Sequence, residues 1–370
     1  MIPLNDFKRQ WQDTQERAMD AFRSVGESGW YILGARVREF EVSLARRWEI
    51  PYALGVASGM DALEIALKVL GCKRGDKVLT TPLSAFATTL AILKLGAMPI
   101  FVDTDEFGLI DLTACREALR TRADVRYLLP VHLYGNALDL NELRQLRDEF
   151  ALNIVEDCAQ SILATFEGVP TGTVGQLAAT SFYPTKNLGA MGDGGAILTS
   201  HQTLHDAAAV LRDYGQSTKY RHEQVGYNSR LDELQAALLT QAYLPELERW
   251  TARRREIARR YLEEIAHPGI QCVGNPPGSD SCWHLFPVLV NPDQKPSFLA
   301  HLRESLICYG EHYPILIPHQ RALARGDFEV IGTLDRAARI SVFGVSLPIH
   351  PYLTDEEVAC IINVCNAWKG

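Results

Sequence analysis

The segment Ala178-Ala-Thr-Ser-Phe-Tyr-Pro-Thr-Lys-Asn-Leu-Gly-Ala-Met-Gly-Asp-Gly-Gly-Ala-Ile-Leu-Thr199 contains the clearest structural pattern in the chain. Residues 178–182 and 194–199 are short, mostly apolar runs of the kind that predicts β-strands. The residues between them include a cluster of glycines, which predicts a turn. Lys186 lies in this turn, so we expect a lysine amine at the edge of a sheet, facing a cleft.

The same kind of pattern extends toward the N-terminus, from about residue 54 onward. Short apolar runs that predict strands alternate there with amphipathic segments that predict helices. The strands are predicted at 76–80, 98–102, 126–131 and 152–156, and the helices near 60–70, 86–95, 112–120 and 139–150. Such alternation is typical of βα units, which build a mostly parallel sheet. We therefore predict the α/β fold class.

The C-terminal part of the chain has a different pattern. Residues 231–265 predict long helices, and they are followed by a strand at 283–290, a helix near 295–307 and a closing helix capped by Thr354. A chain of 370 residues is too long for one ordinary domain. We predict a large domain at 1–245, which carries the sheet and Lys186, and a smaller α+β domain at 246–370, on which the N-terminal segment is also able to pack.

Composition and charge exclude several classes of protein. A net charge of −8 spread along the chain argues against a nucleic-acid-binding protein, which needs a basic face. No run approaches the roughly 18 uncharged apolar residues of a membrane span, and the N-terminus lacks the apolar core of an export signal. The eight cysteines are scattered without Cys-x-x-Cys spacing, so no metal site is predicted. We expect a cytoplasmic protein.

Two residues indicate the chemistry of the predicted cleft. Asp157 directly follows an apolar strand, at the carboxyl end of the sheet where ligand sites usually lie. Pyridoxal 5'-phosphate (PLP) requires an amine that holds its aldehyde and an acid that keeps its ring nitrogen protonated, so that the ring acts as an electron sink. Lys186 and Asp157 are the candidates for these two catalytic roles. The alternatives are a solvated lysine and a helix-capping acid.

Two further residues are candidates for contacts with the ring of PLP. Gln160 lies three residues after Asp157 and can hydrogen-bond the ring hydroxyl if this segment forms a helical turn. Phe86 can stack on one face of the ring, although a phenylalanine is more commonly an ordinary core residue.

The phosphate of PLP also has candidate partners. Gly59, Met60 and Asp61 lie at a turn into a predicted helix, where free N–H groups and the helix dipole favour an anion. Ser181 adds a hydroxyl on the strand that leads to Lys186. Each of these contacts is a weak signal alone, but all of them occur in one α/β chain of suitable length.

With these residues in place, the chain resembles the DegT/DnrJ/EryC1/StrS sugar aminotransferases, which are fold type I PLP enzymes. The resemblance runs nearly end to end, and the pair of segments at 181–186 and 226–232 is specific to this group. It implies a large domain with a mostly parallel seven-stranded sheet flanked by helices, and a smaller α+β C-terminal domain. The motifs are Gly29-Trp-Tyr-Ile-Leu-Gly34, Val56-Ala-Ser-Gly59, Pro130-Val-His-Leu-Tyr-Gly135, Glu156-Asp-Cys-Ala-Gln160, Ser181-Phe-Tyr-Pro-Thr-Lys186, Gly226-Tyr-Asn-Ser-Arg-Leu-Asp232 and Ser346-Leu-Pro-Ile-His-Pro351.

The resemblance implies a role for each candidate residue. It makes Lys186 the Schiff-base lysine, with Asp157, Gln160 and Phe86 contacting the ring. Ser181 and the backbone at 59–61 would hold the phosphate, and Asn228 would reach across from a second subunit, so that a homodimer is required. The chain departs from many members at Met60, where they have threonine, and the segment 312–320 matches only loosely.

The activity implied by the resemblance is transfer of an amino group from L-glutamate to a nucleotide-linked keto sugar, with pyridoxamine phosphate formed between the two halves. Residues 214–237 resemble members that act on a 3-keto sugar, either a dTDP-linked 6-deoxyhexose or a UDP-linked 2-acetamido sugar. The alternatives are a 4-keto aminotransferase, a PLP-dependent sugar dehydratase, a regulatory homologue and a nucleotide-dependent oxidoreductase. Candidate substrate contacts, each with a surface or packing alternative, are Lys219, Tyr220, Arg230, His312, Tyr313 and His319.

Overall fold

Twelve α-helices and sixteen β-strands form the structure, a computed structural model that describes all 370 residues. The helices are α1 (Phe7–Ser28), α2 (Ala35–Arg47), α3 (Gly59–Val69), α4 (Phe86–Lys94), α5 (Leu112–Thr121), α6 (Leu140–Phe150), α7 (Gln202–Arg212), α8 (Glu233–Leu238), α9 (Leu247–Glu264), α10 (Lys295–Glu304), α11 (Asp335–Phe343) and α12 (Asp355–Ala367). The strands are β1 (Tyr52–Val56), β2 (Lys77–Thr80), β3 (Met98–Phe101), β4 (Val125–Leu129), β5 (Asn153–Asp157), β6 (Thr165–Phe166), β7 (Val169–Pro170), β8 (Leu177–Ser181), β9 (Gly195–Thr199), β10 (Gln216–Thr218), β11 (Arg221–His222), β12 (Ile270–Cys272), β13 (Ser279–Asp280), β14 (Phe286–Val290), β15 (Glu329–Val330) and β16 (Gly344–Leu347).

The central sheet has eight strands in the order β1-β9-β8-β5-β4-β2-β3-β15. Only β9 runs against the others, because it pairs antiparallel with both β1 and β8. The predicted α/β class and mostly parallel sheet are therefore confirmed. The eighth strand, absent from the expected seven, is β15, which returns from the C-terminal part of the chain and pairs with β3. Two residues are too short a run to show the alternation by which a strand is predicted.

Both faces of this sheet are covered by helices, which explains the continuous apolar character of its strands. Because successive side chains point to opposite faces, Ile154 packs with residues of α5 and α6, whereas Val155 packs with residues of α3, α4 and α7. All four residues of β5 from Ile154 to Asp157 are buried. A charged residue in such a strand lies in the interior, at the point where the strand ends.

The last third of the chain builds a three-stranded antiparallel sheet in the order β12-β14-β16. One buried cluster joins this sheet to α9, α10 and α12, and it includes Ile2 from the N-terminus. Ile2 also forms a parallel bridge with Ile307. Ala337 and Ile340 of α11 pack instead in a cluster of the central sheet. The division of the chain at 245 and 246 stays a prediction.

The helical stretch predicted at 231–265 is interrupted. α8 is followed by a π-helical turn at Leu239–Tyr243 and a 3-10 turn at Leu244–Glu246 before α9 begins. Pro245 explains the break, because proline lacks the N–H that a continuous α-helix needs. The predicted cap of α12 is confirmed: the hydroxyl of Thr354 accepts from the N–H of Glu357 at 3.2 Å, and the Glu357 carboxylate accepts from the N–H of Thr354 at 2.9 Å. None of the twelve helices is both long and apolar enough to cross a membrane.

Candidate active site

A cleft of about 420 Å³ opens at the carboxyl ends of the parallel strands. Its wall includes Asp157 at the end of β5, Ser181 at the end of β8 and Val131 just after β4. Lys186 and the first residues of α3 complete this part of the wall. Sites at this edge of a sheet gather residues from several strands, because each strand ends there and its loop is free to vary.

Lys186 lies in the turn between β8 and β9, as the sequence predicts. The turn is held by backbone hydrogen bonds, among them one of 2.8 Å from the N–H of Lys186 to the carbonyl of Tyr183. Burial lowers the pKa of the Lys186 ammonium group from its ordinary value near 10.5 to about 8, although the charge of Asp157 acts in the opposite direction. The uncharged amine, which is the form that attacks a carbonyl, is therefore more populated near neutral pH than in an ordinary lysine.

Asp157 is 4% exposed and faces the same cleft. Its Oδ2 accepts from the hydroxyl of Thr88 at 2.9 Å, and its Oδ1 accepts from the N–H of Ala159 at 3.1 Å. Burial raises the pKa of this carboxyl group, while the two hydrogen bonds and the charge of Lys186 oppose the shift. A positive charge placed beside Asp157 would therefore be stabilised strongly, because water does not compete for the carboxylate.

A buried hydrogen-bond network fixes the strand that carries Asp157. The carboxylate of Glu156 accepts from the N–H groups of Gly172, Val174 and Gly175 at 2.6 to 2.9 Å. It also lies 2.9 Å from Nε2 of His132. Burial alone would raise the pKa of Glu156, but His132 and the N–H groups outweigh it and leave that pKa lowered. The glutamate is therefore an anion bound to its own loop.

The N-terminus of α3 forms the far end of the cleft. The hydroxyl of Ser58 caps the helix by accepting from the N–H of Asp61 at 3.1 Å. The N–H groups of Gly59 and Met60 belong to the first turn and have no partner within the helix. A Cβ on Gly59 would lie 2.5 Å from the Cβ of Ser181, so only glycine lets α3 approach β8 this closely. These features fit a phosphate, because free N–H groups at the start of a helix and a hydroxyl line the same part of the cleft.

Gln160 is buried beside Asp157 and anchored at both ends of its amide. Its Oε1 accepts from the N–H of Tyr134 at 2.7 Å, and its Nε2 donates to the hydroxyl of Tyr313 at 3.1 Å. Burial raises the pKa of Tyr313 to about 12 despite this bond. His312 also lines the cleft, and burial together with the charge of Lys186 lowers its pKa. The structure therefore brings two of the six candidate substrate contacts, His312 and Tyr313, to the site.

Phe86 does not line the cleft in this structure. It is the first residue of α4, and its ring packs against a cluster formed by Phe101, Ile317 and Leu323. Its neighbours Ala85 and Ala87 do line the cleft. The backbone at Phe86 therefore lies beside the cleft. The ring packs in the core, which was the alternative to stacking on the cofactor.

The other predicted contacts lie outside the cleft of a single chain. Asn228 is exposed and forms a bridge with Asp213. Lys219 and Tyr220 lie in the exposed hairpin of β10 and β11, with the ammonium group 5.2 Å from the tyrosine ring centre. Arg230 donates to Asp213 at 2.9 Å. His319 is exposed in a 3-10 turn at Ile317–His319.

Some residues that line the cleft were not among the candidates from the sequence. They come from four separate segments and are Ser84, Thr88, Tyr183, Thr185, Asp193 and His284. Thr88 lies two residues after Phe86, and a helix that starts at Phe86 places both near the same strand ends. The predicted start of this helix was a signal for the place of Thr88, but not for its contact with Asp157. His284 reaches the cleft from a segment about 100 residues after Lys186, and no local pattern indicates such a contact.

Comparison with known proteins agrees with this geometry. The family described as DegT/DnrJ/EryC1/StrS aminotransferase matches residues 12–366. A dTDP-3-amino-3,4,6-trideoxy-alpha-D-glucose transaminase of Streptomyces venezuelae is 38% identical, over 99% of this chain and 96% of the relative. A dTDP-3-amino-3,6-dideoxy-alpha-D-galactopyranose transaminase of Aneurinibacillus thermoaerophilus is 37% identical, over 100% of this chain and 99% of the relative. The crystal structure of S. venezuelae DesV in complex with a ketimine intermediate matches with a TM-score of 0.94 and 38% identity, covering 99% of this chain and 98% of that one.

Proposed function

This chain belongs to the DegT/DnrJ/EryC1/StrS aminotransferase family, and we propose that it transfers the amino group of L-glutamate to the ketone at C3 of a nucleotide-linked sugar, with PLP as cofactor. The observation that carries the proposal is the pairing of Lys186 and Asp157 in one cleft whose far end is the N-terminus of α3. The two transaminases named above are named for dTDP-linked sugars that carry an amino group at C3.

Lys186 and Asp157 would contact opposite ends of the cofactor. Lys186 would bind its aldehyde, and Asp157 would face its ring nitrogen. PLP, when bound, supplies an electron sink for the carbon that loses a proton. Lys186 is the residue whose amine would bind the cofactor covalently. With the amine of the donor in place of Lys186, Nζ would be free to accept the proton of the donor's α-carbon and to hold it for return. Its lowered pKa favours this work as a base, since the amine is uncharged more of the time.

The remaining cleft residues would orient the cofactor. The N–H groups of Gly59 and Met60 and the hydroxyl of Ser181 would bind the phosphate. The predicted contact at Asp61 lies outside the cleft wall, and its N–H already donates to Ser58. Asp61 itself is held by the hydroxyl of Ser229, which donates to its Oδ2 at 2.7 Å, so that its side chain is already occupied. Met60 has no hydroxyl, and its backbone N–H alone serves there.

Gln160 would fix the opposite side of the ring. Its Nε2 has a second hydrogen beyond the one that it donates to Tyr313, and that hydrogen is available for the ring oxygen. His312 and Tyr313 would meet the substrate, since both line the cleft beside Lys186. The stacking role of Phe86 stays a prediction that needs a rotation of its ring.

We infer that the site is completed by a second copy of the chain. Asn228, Lys219, Tyr220 and Arg230 lie outside the cleft of their own subunit. Tyr220 is 82% exposed and the neighbouring Val225 is 84% exposed, and exposed apolar side chains of this size favour burial against a partner. A homodimer would place this segment at the cleft of the partner. The cytoplasmic location stays a prediction.

The experiment that tests the function follows the colour of the purified protein. Protein reconstituted with PLP should be yellow, and L-glutamate should bleach it in a single turnover as 2-oxoglutarate forms. The pyridoxamine form should then aminate 3-keto nucleotide sugars, offered beside their 4-keto isomers with dTDP and with UDP. A colourless protein would contradict the catalytic role, and equal activity on both regioisomers would contradict the preference for C3.

A matched pair of variants locates the reacting lysine. Lys186→Ala should leave no cofactor that borohydride can fix covalently to the chain. Lys68→Ala removes a partly exposed lysine that donates to the carbonyl of Val225 and should keep the fixed cofactor. Covalent PLP retained in the Lys186 variant would show that another residue is the nucleophile.

A further inference from the structure

Two hydroxyl groups form a chain that ends on Asp157. The hydroxyl of Ser84 lies 2.9 Å from that of Thr88, and Thr88 Oγ1 lies 2.9 Å from Oδ2 of Asp157. Thr88 is 1% exposed, Ser84 is 4% exposed, and both line the cleft. The order of donors follows from the chemistry: an ionised carboxylate only accepts, so Thr88 gives it the single hydroxyl proton, and Ser84 must then donate to Thr88.

One backbone N–H group donates a hydrogen bond to the Asp157 carboxylate besides Thr88, and the other nearby groups influence it only through their charge. Its Oδ1 is bound by the N–H of Ala159 at 3.1 Å. The charged or titratable groups that influence it from the surrounding elements are Lys186, His132, Tyr313 and the adjacent Cys158. Burial disfavours the charged form of Asp157, and each hydrogen bond to an oxygen favours it. Thr88 is the only side chain that donates a hydrogen bond to this carboxylate.

We propose that Thr88 is a positioning residue, which holds the carboxylate of Asp157 in its charged form and turned toward the ring nitrogen of the cofactor. The role rests on the proposed PLP-dependent function. With Thr88 donating to Asp157, a proton shared between the carboxylate and the ring nitrogen stays on the nitrogen, where it makes the ring an electron sink. Without that donor the carboxylate becomes more basic and takes a larger share of the proton.

Thr89 supplies a matched control on the same helix. It is fully buried, and its hydroxyl has no hydrogen-bond partner. Thr88→Val and Thr89→Val therefore make the same replacement of a hydroxyl by a methyl group at adjacent residues of α4. Only Thr88→Val removes a hydrogen-bond donor from Asp157. Thr88→Ser keeps the donor and loses only a methyl group.

The first experiment measures binding of pyridoxamine phosphate to the apo-protein by titration. Its comparison ligand is the analogue in which the ring nitrogen is replaced by C–H. Thr88→Val should weaken the binding of pyridoxamine phosphate by about 10- to 100-fold, because a hydrogen bond to a charged group is stronger than one between neutral groups. The analogue has no ring proton to share, so its affinity should change by less than about 2-fold. Thr88→Ser and Thr89→Val should resemble the wild type with both ligands.

The second experiment measures the half-reaction with L-glutamate in single turnovers. Thr88→Val should slow the rate constant at saturating glutamate by about 10-fold or more, with little change in the glutamate concentration that gives half the maximal rate. Thermal unfolding of each apo-protein reports whether the variant is folded, and Thr88→Ser keeps the test open should Thr88→Val not fold.

The inference is overturned by either of two results. Equal weakening of both ligands in Thr88→Val would assign a purely structural role, and unchanged binding of pyridoxamine phosphate would show no role at the ring nitrogen. A wild-type protein that binds neither ligand would instead overturn the proposed function, with which the inference falls. The two failures are therefore distinguishable by the wild-type titration.

Discussion

A Cβ atom on Gly59 would lie 2.5 Å from the Cβ of Ser181, which is closer than two such atoms can approach. The first turn of α3 and the last residue of β8 are thus in contact only because residue 59 has no side chain. This contact places the N–H groups of Gly59 and Met60 beside the hydroxyl of Ser181, at the end of the cleft where the phosphate is proposed to bind.

The first prediction concerns that contact. Gly59→Ala should push α3 away from β8 and weaken PLP binding by about 10-fold or more, because the free N–H groups no longer converge with Ser181. Gly26→Ala is the matched control, since a Cβ at this position in α1 meets nothing within 4 Å. Titration of each apo-protein with PLP measures the effect. Equal affinities in the two variants would contradict the phosphate site.

The second prediction concerns the reactivity of Lys186. The rate at which PLP attaches to the apo-protein should rise with pH through a midpoint of about 8, because burial lowers the pKa of this amine. Asp157→Asn should move the midpoint lower still, since the charge of Asp157 favours the ammonium form. Stopped-flow absorbance measures both profiles. A midpoint near the ordinary lysine value of 10.5 would contradict the proposed effect of burial on this amine.

The third prediction concerns the buried anion of Glu156. Glu156→Ala removes the acceptor of four buried hydrogen bonds and should lower the free energy of unfolding by about 3 kcal/mol or more, because His132 and three N–H groups are left without an acceptor. Urea unfolding measures the loss. Glu304→Ala, at an exposed acid without an ion pair, should change the stability little.

The same glutamate should contribute to the pH dependence of stability. Its pKa is lower in the folded protein than its ordinary value of 4.5, so the unfolded chain binds the proton more readily. The stabilisation is therefore present above about pH 4.5 and is lost as the pH falls toward the folded value. In Glu156→Gln this component of the pH dependence should be absent. Unfolding measured from neutral pH down to acid, with the wild type as reference, tests the sign.

The fourth prediction concerns the shared site of the homodimer. Lys186→Ala and Asn228→Ala should each reduce activity when pure, because every cleft then lacks one necessary residue. Co-refolded subunits should recover up to about a quarter of the wild-type activity, since half of the dimers are mixed and one cleft in each has both residues intact. Mixing Lys186→Ala with Asp157→Ala is the control, as both residues line the same cleft. Equal recovery in the two mixtures would contradict a contribution across the interface.

Much of the fold follows from local patterns in the sequence. The strands and helices predicted between residues 76 and 199 lie within two residues of their observed bounds, because apolar periodicity and glycine turns act over short distances. The two-residue strand β15 and the breaks near Pro245 escaped prediction. A short edge strand exists only because β3 offers it a partner, and that partner lies more than 200 residues away in the chain.

The cleft shows the same division between local and distant information. Lys186, Asp157, Gln160 and Ser181 follow or end strands of one sheet, so the sequence by itself determined that their side chains meet at its carboxyl edge. Tertiary structure alone decided which other side chains face them. Packing against Phe101 turned the ring of Phe86 away from the cleft, and the start of α4 brought Thr88 within hydrogen-bond distance of Asp157. Contacts between distant segments depend on how whole elements pack, which no local run of residues records.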